Sequence, residues 1–203
     1  MDRRALIASS LRVIANLDVI RPSDANEVPY AWELALRRKD GPTALILTRQ
    51  GIPVFDRQGA GLASADQLRR GGYILAEASE GKPKCLLVAS GSEVQLALDA
   101  RTTLEQEGIP TRVVAMPCME IFRRQEADYQ KKVLPPEVRA RVAVEAGTRQ
   151  SWDWLIGLDG ASVTINGRFG ASAPWKVLAE EFGFTAQNVA QVARRLLSTL
   201  SRR

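Results

Sequence analysis

Arg49 is the residue best placed to hold a charged small molecule. It follows the apolar run TALILT (residues 43–48) and precedes Gln50 and Gly51. It therefore stands at the carboxyl end of an expected strand, where open α/β sheets bind their ligands. Its guanidinium is a planar fork that matches a phosphate or a carboxylate. The competing reading is a structural arginine paired with an acid in the glycine-rich stretch that follows. Gly91, Ser92 and Glu93 sit at a second strand-to-helix joint, where backbone N–H groups could cradle an anion. One glycine without a lysine makes a weak phosphate loop, and a helix start capped by Ser92 accounts for the same residues. Glu145 and Asp159 are the candidate acids, but no spacing brings them together, and a lone carboxylate is more often a salt-bridge partner or a cap. Cys118, near a helix start, could have a lowered pKa. Without a histidine base a small buried residue is the simpler account. Trp152 and Trp154 lie two apart, so one is expected to pack and the other to stay partly exposed.

The chain of 203 residues contains no histidine. Histidine is the usual general base and the commonest metal ligand, so its absence removes triads, zinc sites and most acid–base pairs together. Two cysteines, Cys85 and Cys118, make neither a disulfide framework nor a metal site in a chain this long, and a reduced, cytoplasmic setting is expected. The net charge of +5 invites a nucleic-acid reading. The basic residues, however, are scattered in small pairs among acids, with no aromatic stacking pattern, which argues against nucleic acid as a partner. No apolar run approaches the roughly 20 residues needed to span a bilayer. The opening MDRRALIASSLRVIANL reads as an amphipathic helix, because Ser9, Ser10 and Arg12 interrupt the apolar core that a signal peptide needs.

Forty-five per cent hydrophobic residues suffice to bury a core, and the clearest unit that could position these groups lies over residues 82–117. Residues 85–90 form an apolar run without alternation, as in a strand covered on both faces. Val94, Ala97, Leu98, Arg101 and Leu104 then recur at helical spacing, Gly108 and Pro110 end the helix, and residues 112–116 give a second β-branched run. Strand, helix and strand with tight joints form a βαβ unit, hence a parallel sheet. Upstream, the pattern predicts a helix over 6–16, a strand over 17–20 and a helix to about 38. Asp24 and Glu27 resemble a capping box for the latter, with Asn26 as the other possible cap. Its buried face is expected to carry Trp32, Leu34, Ala35 and Leu36. Residues 51–72, rich in glycine and without periodicity, read as an interdomain linker that leads to a short strand over 73–76. Short helices are expected over 118–124 and 126–134, a strand over 139–145, a helical turn over 152–156 and a last strand over 161–165. Phe169, Gly170, Ala171, Ser172, Ala173 and Pro174 lead into a helix over 175–182. Thr185, with Asn188 three on, caps a final helix to about 200, whose stripe is Val189, Val192, Ala193, Leu196, Leu197 and Leu200.

Taken together, several stretches resemble the carboxyl-terminal part of transketolase: IRPSDANE (20–27), LTRQGIP (47–53), ASGSEV (89–94), RVVAMP (112–117), VLPP (133–136), VEAG (144–147), GLDG (157–160) and RFGASAP (168–174). Their order and spacing follow the family almost from Leu6 to the end. The resemblance implies a three-layer α/β/α open, mostly parallel sheet like that of the family's C-terminal domain, preceded by a partial thiamine-pyrimidine-binding α/β domain. Residues 1–57 would be the partial pyrimidine-binding domain (its family part reaching about Val54), residues 58–72 the linker and residues 73–203 the C-terminal domain. It further implies an enzyme of the pentose phosphate pathway. That enzyme is a cytoplasmic homodimer that uses thiamine diphosphate and a divalent metal, Mg or Ca, to move a two-carbon ketol unit between sugar phosphates. Arg49 falls on the arginine of the family's SRQ or TRQ motif, which binds the substrate phosphate. The family's cofactor-activating glutamate, metal ligands, thiamine-stacking aromatic and histidines all precede the region covered, and its GPTHQ motif would end just before Met1. The chain alone is therefore expected to bind no cofactor and to be inactive, with no catalytic residue of its own. The alternative is a non-catalytic assembly module or split-gene subunit that partners the missing N-terminal domains, for which Met1 at a plausible helix start speaks. Two parallel strands with open edges are marginal, so residues 1–57 are expected to pack on the second domain, to self-associate, or to be mobile.

Overall fold

The structure, a computed structural model, describes residues 3–167 and 171–202. Helix α1 (Arg3–Leu11) leads through a turn into strand β1 (Asp18–Ile20). Helix α2 (Val28–Arg37) then crosses to strand β2 (Thr43–Leu45), which runs parallel to β1 with Val19 opposite Ala44. Residues 46–64 hold no helix or strand, but Phe55 is buried and anchors them. A 3-10 stretch, Ala65–Arg70, ends on Gly71, whose φ of 76° is left-handed. A Cβ on Gly71 would lie 2.4 Å from the Phe122 nitrogen and 2.5 Å from the Cys118 oxygen, so only glycine lets the chain turn here.

The second sheet begins with strand β3 (Tyr73–Ala76) and strand β4 (Cys85–Ala89). Helix α3 (Val94–Gln106) returns the chain to strand β5 (Thr111–Ala115), parallel to β4 with Leu87 opposite Val113. Helices α4 (Met119–Arg123) and α5 (Ala127–Val133) lead to strand β6 (Arg141–Val144). Helix α6 (Asp153–Ile156) and strand β7 (Ala161–Val163) follow, then helices α7 (Trp175–Glu181) and α8 (Ala186–Leu200). The strand order is β3-β5-β4-β6-β7, with β3 antiparallel and the rest parallel.

Strand period puts successive side chains on opposite faces. Leu87, Val113 and Val142 therefore join Ala97, Ala100 and Leu104 of α3 and Val189 and Ala193 of α8 in one cluster. Leu86, Val88, Val114 and Ala143 join Phe122 of α4, Val133 of α5 and Leu155 of α6 in another. These are the three layers expected. Thr185 caps α8, its Oγ1 accepting from the Asn188 N–H at 3.2 Å.

Of the three fates expected for the first segment, the structure takes packing on the second domain. Ile20 and Ala31 share a cluster with Leu68, Cys118 and Ile121, and the Arg21 N–H donates to the Pro117 carbonyl at 2.8 Å. Two local expectations change. Only Thr43–Leu45 of the 43–48 run pairs as strand, and its residues are half-buried. On α2 the buried direction is set by Ala31 and Leu34, three apart, so Trp32 and Leu36 fall on the opposite side. They are 50% and 78% exposed.

Candidate functional site

A cleft of about 800 Å³ opens between the two sheets. Its lining comes from the chain just beyond four parallel strands: Arg21 after β1, residues 46–53 after β2, Gly91, Ser92 and Glu93 after β4, and Ala146 after β6. Parallel strands bring their carboxyl ends together, and that is where an α/β sheet leaves a crevice. Arg49 stands in this lining, exposed, with no hydrogen bond or ion pair among the described residues. A guanidinium left without an internal anion is free for one from solution.

The inner end of the cleft is a buried charge network. Glu145, at the end of β6, accepts from Arg12 Nη1 and Nη2 at 2.7 and 2.8 Å, and from Arg21 Nη1 at 2.7 Å. Ser90 Oγ donates to the same carboxylate at 2.6 Å and Trp152 Nε1 at 2.8 Å. Arg21 Nη2 donates to Glu93 at 3.0 Å. Burial alone would push the Glu145 carboxyl up, but the charges of Arg12 and Arg21 outweigh it and hold the group well below the usual carboxylate range. Burial disfavours charge on Arg21 in turn, and Glu93 and Glu145 more than offset it.

A second network anchors the far side of the first segment. Tyr73 Oη donates to Glu27, and Arg57 donates to Tyr73 Oη at 2.9 Å and to Asp24 at 3.1 Å. Here burial wins over the hydrogen bonds and the Arg57 charge, and the Glu27 carboxyl is raised. The expected capping box is only half present. Asp24 Oδ1 accepts from the Glu27 N–H at 3.3 Å, but Glu27 reaches the Ser23 N–H rather than that of Asp24, and α2 starts only at Val28, beyond the first turn that such a box would cap. Asn26 is not the cap; its amide bridges Asp24 and the Phe55 carbonyl.

Other candidate residues take plainer roles. Gly91–Glu93 forms a 3-10 turn into α3, but Ser92 caps nothing: its hydroxyl donates to its neighbour Glu93 at 2.7 Å. The turn continues into the helix without the extended residue that a cap requires. Beside this joint the Arg21 guanidinium is held between Glu93 and Glu145. Glu145 and Asp159 belong to separate ion pairs, the latter with Arg139 at 2.7 Å. Cys118 is buried, and burial pushes its thiol well above the usual value. Its sulfur lies with Asp18 and Glu120, one ligand atom of each within 4.8 Å of the others. These groups do not fit a divalent ion, since Asp18 already pairs with Arg124 at 2.7 Å and Arg38 at 2.9 Å, and Glu120 takes the Val19 N–H at 3.2 Å. Trp152 is buried and Trp154 half-exposed beneath Arg123. Arg12, Arg21, Arg57 and Tyr73 carry charge or buried polarity that sequence reasoning passed over, and Glu27 reads there as a cap. The one signal was Arg21 directly after an apolar strand. Of the 168–174 stretch, Arg168, Phe169 and Gly170 lie outside the described residues, whereas Ala171, Ser172 and Ala173 line the cleft.

Comparison with known proteins matches residues 71–185 to the model of a transketolase-like TK C-terminal domain. Residues 5–54 match that of a transketolase pyrimidine-binding domain. A transketolase of Aquifex aeolicus is 55% identical over 181 residues, which are 89% of this chain and 26% of that protein. The structure of a transketolase from Leishmania mexicana superimposes with a TM-score of 0.85 at 38% identity, covering 95% of this chain and 27% of that one. A transketolase from Pichia stipitis in complex with sedoheptulose 7-phosphate gives 0.85 at 32%, covering 96% and 27%. The chain thus spans about a quarter of the length of the relatives it matches.

Proposed function

Because this chain belongs to the transketolase family, we propose that it forms the substrate-phosphate side of a thiamine diphosphate-dependent enzyme that moves a two-carbon ketol unit between sugar phosphates. In this reading residues 1–57 complete a pyrimidine-binding domain, residues 58–72 link it, and residues 73–203 form the C-terminal domain. Thiamine diphosphate and its divalent metal, which supply the carbanion chemistry, bind to other parts of the intact, cytoplasmic, homodimeric protein. The Asp18, Cys118 and Glu120 group, already committed to Arg38, Arg124 and the Val19 N–H, does not fit the metal. Arg49 holds the phosphate of the sugar as a bidentate anion clamp, and Arg12, Arg21 and Glu145 keep the cleft in shape. The observation that carries the reading is Arg49 itself: a guanidinium without a partner among the described residues, in the lining of a cleft at the carboxyl ends of β1, β2, β4 and β6. The chain alone contributes no catalytic residue. Purified, it transfers no ketol unit from xylulose 5-phosphate and binds no thiamine diphosphate, as turnover assays and calorimetry would record, while the intact protein does both.

A second reading, an assembly subunit that completes its fold on a partner carrying the remaining domains, is favoured by the apolar surface of the first segment. Val13, Ile14, Trp32, Leu36 and Val54 are all exposed there, beside a sheet of only two strands. Co-purification with such a partner, in a complex that a Trp32→Glu/Leu36→Glu variant fails to form, supports it. A monomer that never binds those domains dismisses it.

A further inference from the structure

The sheet order β3-β5-β4-β6-β7 reverses direction between β4 and β6. The crevice beyond the carboxyl ends of those two strands is where an open α/β domain ordinarily takes its ligand. Here Ser90 follows β4 and Glu145 follows β6, and the group seated between them is the Arg21 guanidinium, delivered from the end of β1. We propose that this crevice is a guanidinium-recognition site: a socket on the C-terminal domain that captures arginine side chains of the preceding segment and docks it.

Four features of the socket suit a guanidinium and no anion. It presents two carboxylates, Glu93 and Glu145, to the two terminal nitrogens of Arg21, at 3.0 and 2.7 Å. Ser90 Oγ lies 3.1 Å from Arg21 Nη1 and donates its own hydrogen bond to Glu145, so the hydroxyl is aligned as an acceptor toward the cation. Gly91 has a φ of 58°, and a Cβ there would sit 2.9 Å from Arg21 Nη2, so the glycine leaves room for the planar group. Trp152 closes the far side, donating to Glu145 while its ring lies 5.7 Å from the Arg12 guanidinium carbon. The socket reads only terminal nitrogens: Nε of both Arg12 and Arg21 is buried without a hydrogen-bond partner. A free guanidinium ion, whose nitrogens are equivalent, therefore fits as well as the side chain does.

The test uses the full chain with Arg21→Ala. Millimolar guanidinium chloride, far below the molar range in which it denatures, raises the melting temperature of this variant saturably, by about 3 °C or more at about 50 mM. Equal concentrations of sodium or tetramethylammonium chloride do not, wild type shows no rise, and adding Glu145→Gln abolishes the effect. Should Arg21→Ala fail to fold, Arg12→Ala vacates the other guanidinium position on Glu145 and gives the same readout. A rise that is equal for all three salts, or its absence in whichever of the two variants folds, overturns the assignment.

Discussion

Arg21 Nη1 lies 2.7 Å from Glu145 Oε1, across 124 residues of chain, and both groups are buried. With the bonds of Arg21 to Ser90 and Glu93, that contact joins the end of the first sheet to the end of the second at the inner wall of the cleft. A pair so buried has a high desolvation cost, so its removal on one side leaves an uncompensated charge.

Glu145→Gln therefore strands Arg12 and leaves Arg21 with Glu93 as its carboxylate. Urea denaturation should record a loss of about 3–5 kcal/mol at neutral pH. A loss under about 1 kcal/mol, the value of a surface pair, would show that water reaches the network.

The two buried glutamates should respond to pH in opposite senses. Glu145 is depressed in the folded state, so its stabilisation is present above the ordinary carboxylate value and is lost as pH falls through the lower folded value. The stability gap between wild type and Glu145→Gln should hold at neutral and mildly acidic pH and shrink only in strong acid. Glu27 is raised, so its contribution is present below the ordinary value and lost as pH rises through the folded one. Wild type should gain on Glu27→Gln as pH falls from neutral toward 5. Denaturation midpoints of the three proteins, followed from neutral pH to 5 for Glu27 and on into strong acid for Glu145, check both slopes.

Gly91→Ala tests the close approach at the socket. The left-handed φ and the 2.9 Å contact with Arg21 add up, and a loss of about 1–3 kcal/mol is expected. Gly51→Ala, with nothing within 4 Å and no left-handed φ, is the control and should be near neutral.

Local features were legible from residue order. The βαβ unit over β4, α3 and β5 and the Thr185 cap depend on neighbours a few positions apart, and both stand as expected. The face of α2 was not legible, because apolar residues occur around most of the helix and only the contacts of Ala31 with Ile20 and Leu68 select one side. Ser92 misled for a related reason: a serine before a helix caps it only where its backbone is extended, and here a 3-10 turn runs straight on. That Arg49 would lie in the cleft lining could be expected from its place after a strand. Arg21 looked much the same in sequence, yet it is spent on Glu145 and Glu93. What separates a free arginine from a committed one is the acid that folding brings beside it, and no local pattern records that.

The most direct measurement takes the proposed intact protein and compares its use of phosphorylated and unphosphorylated ketol donors before and after Arg49→Ala. If Arg49 holds the phosphate, KM for xylulose 5-phosphate rises about 10–100-fold, as loss of a charge-assisted pair implies, while kcat/KM for an unphosphorylated donor stays within about twofold. Equal losses for both donors, or no change for either, would contradict the assignment of Arg49.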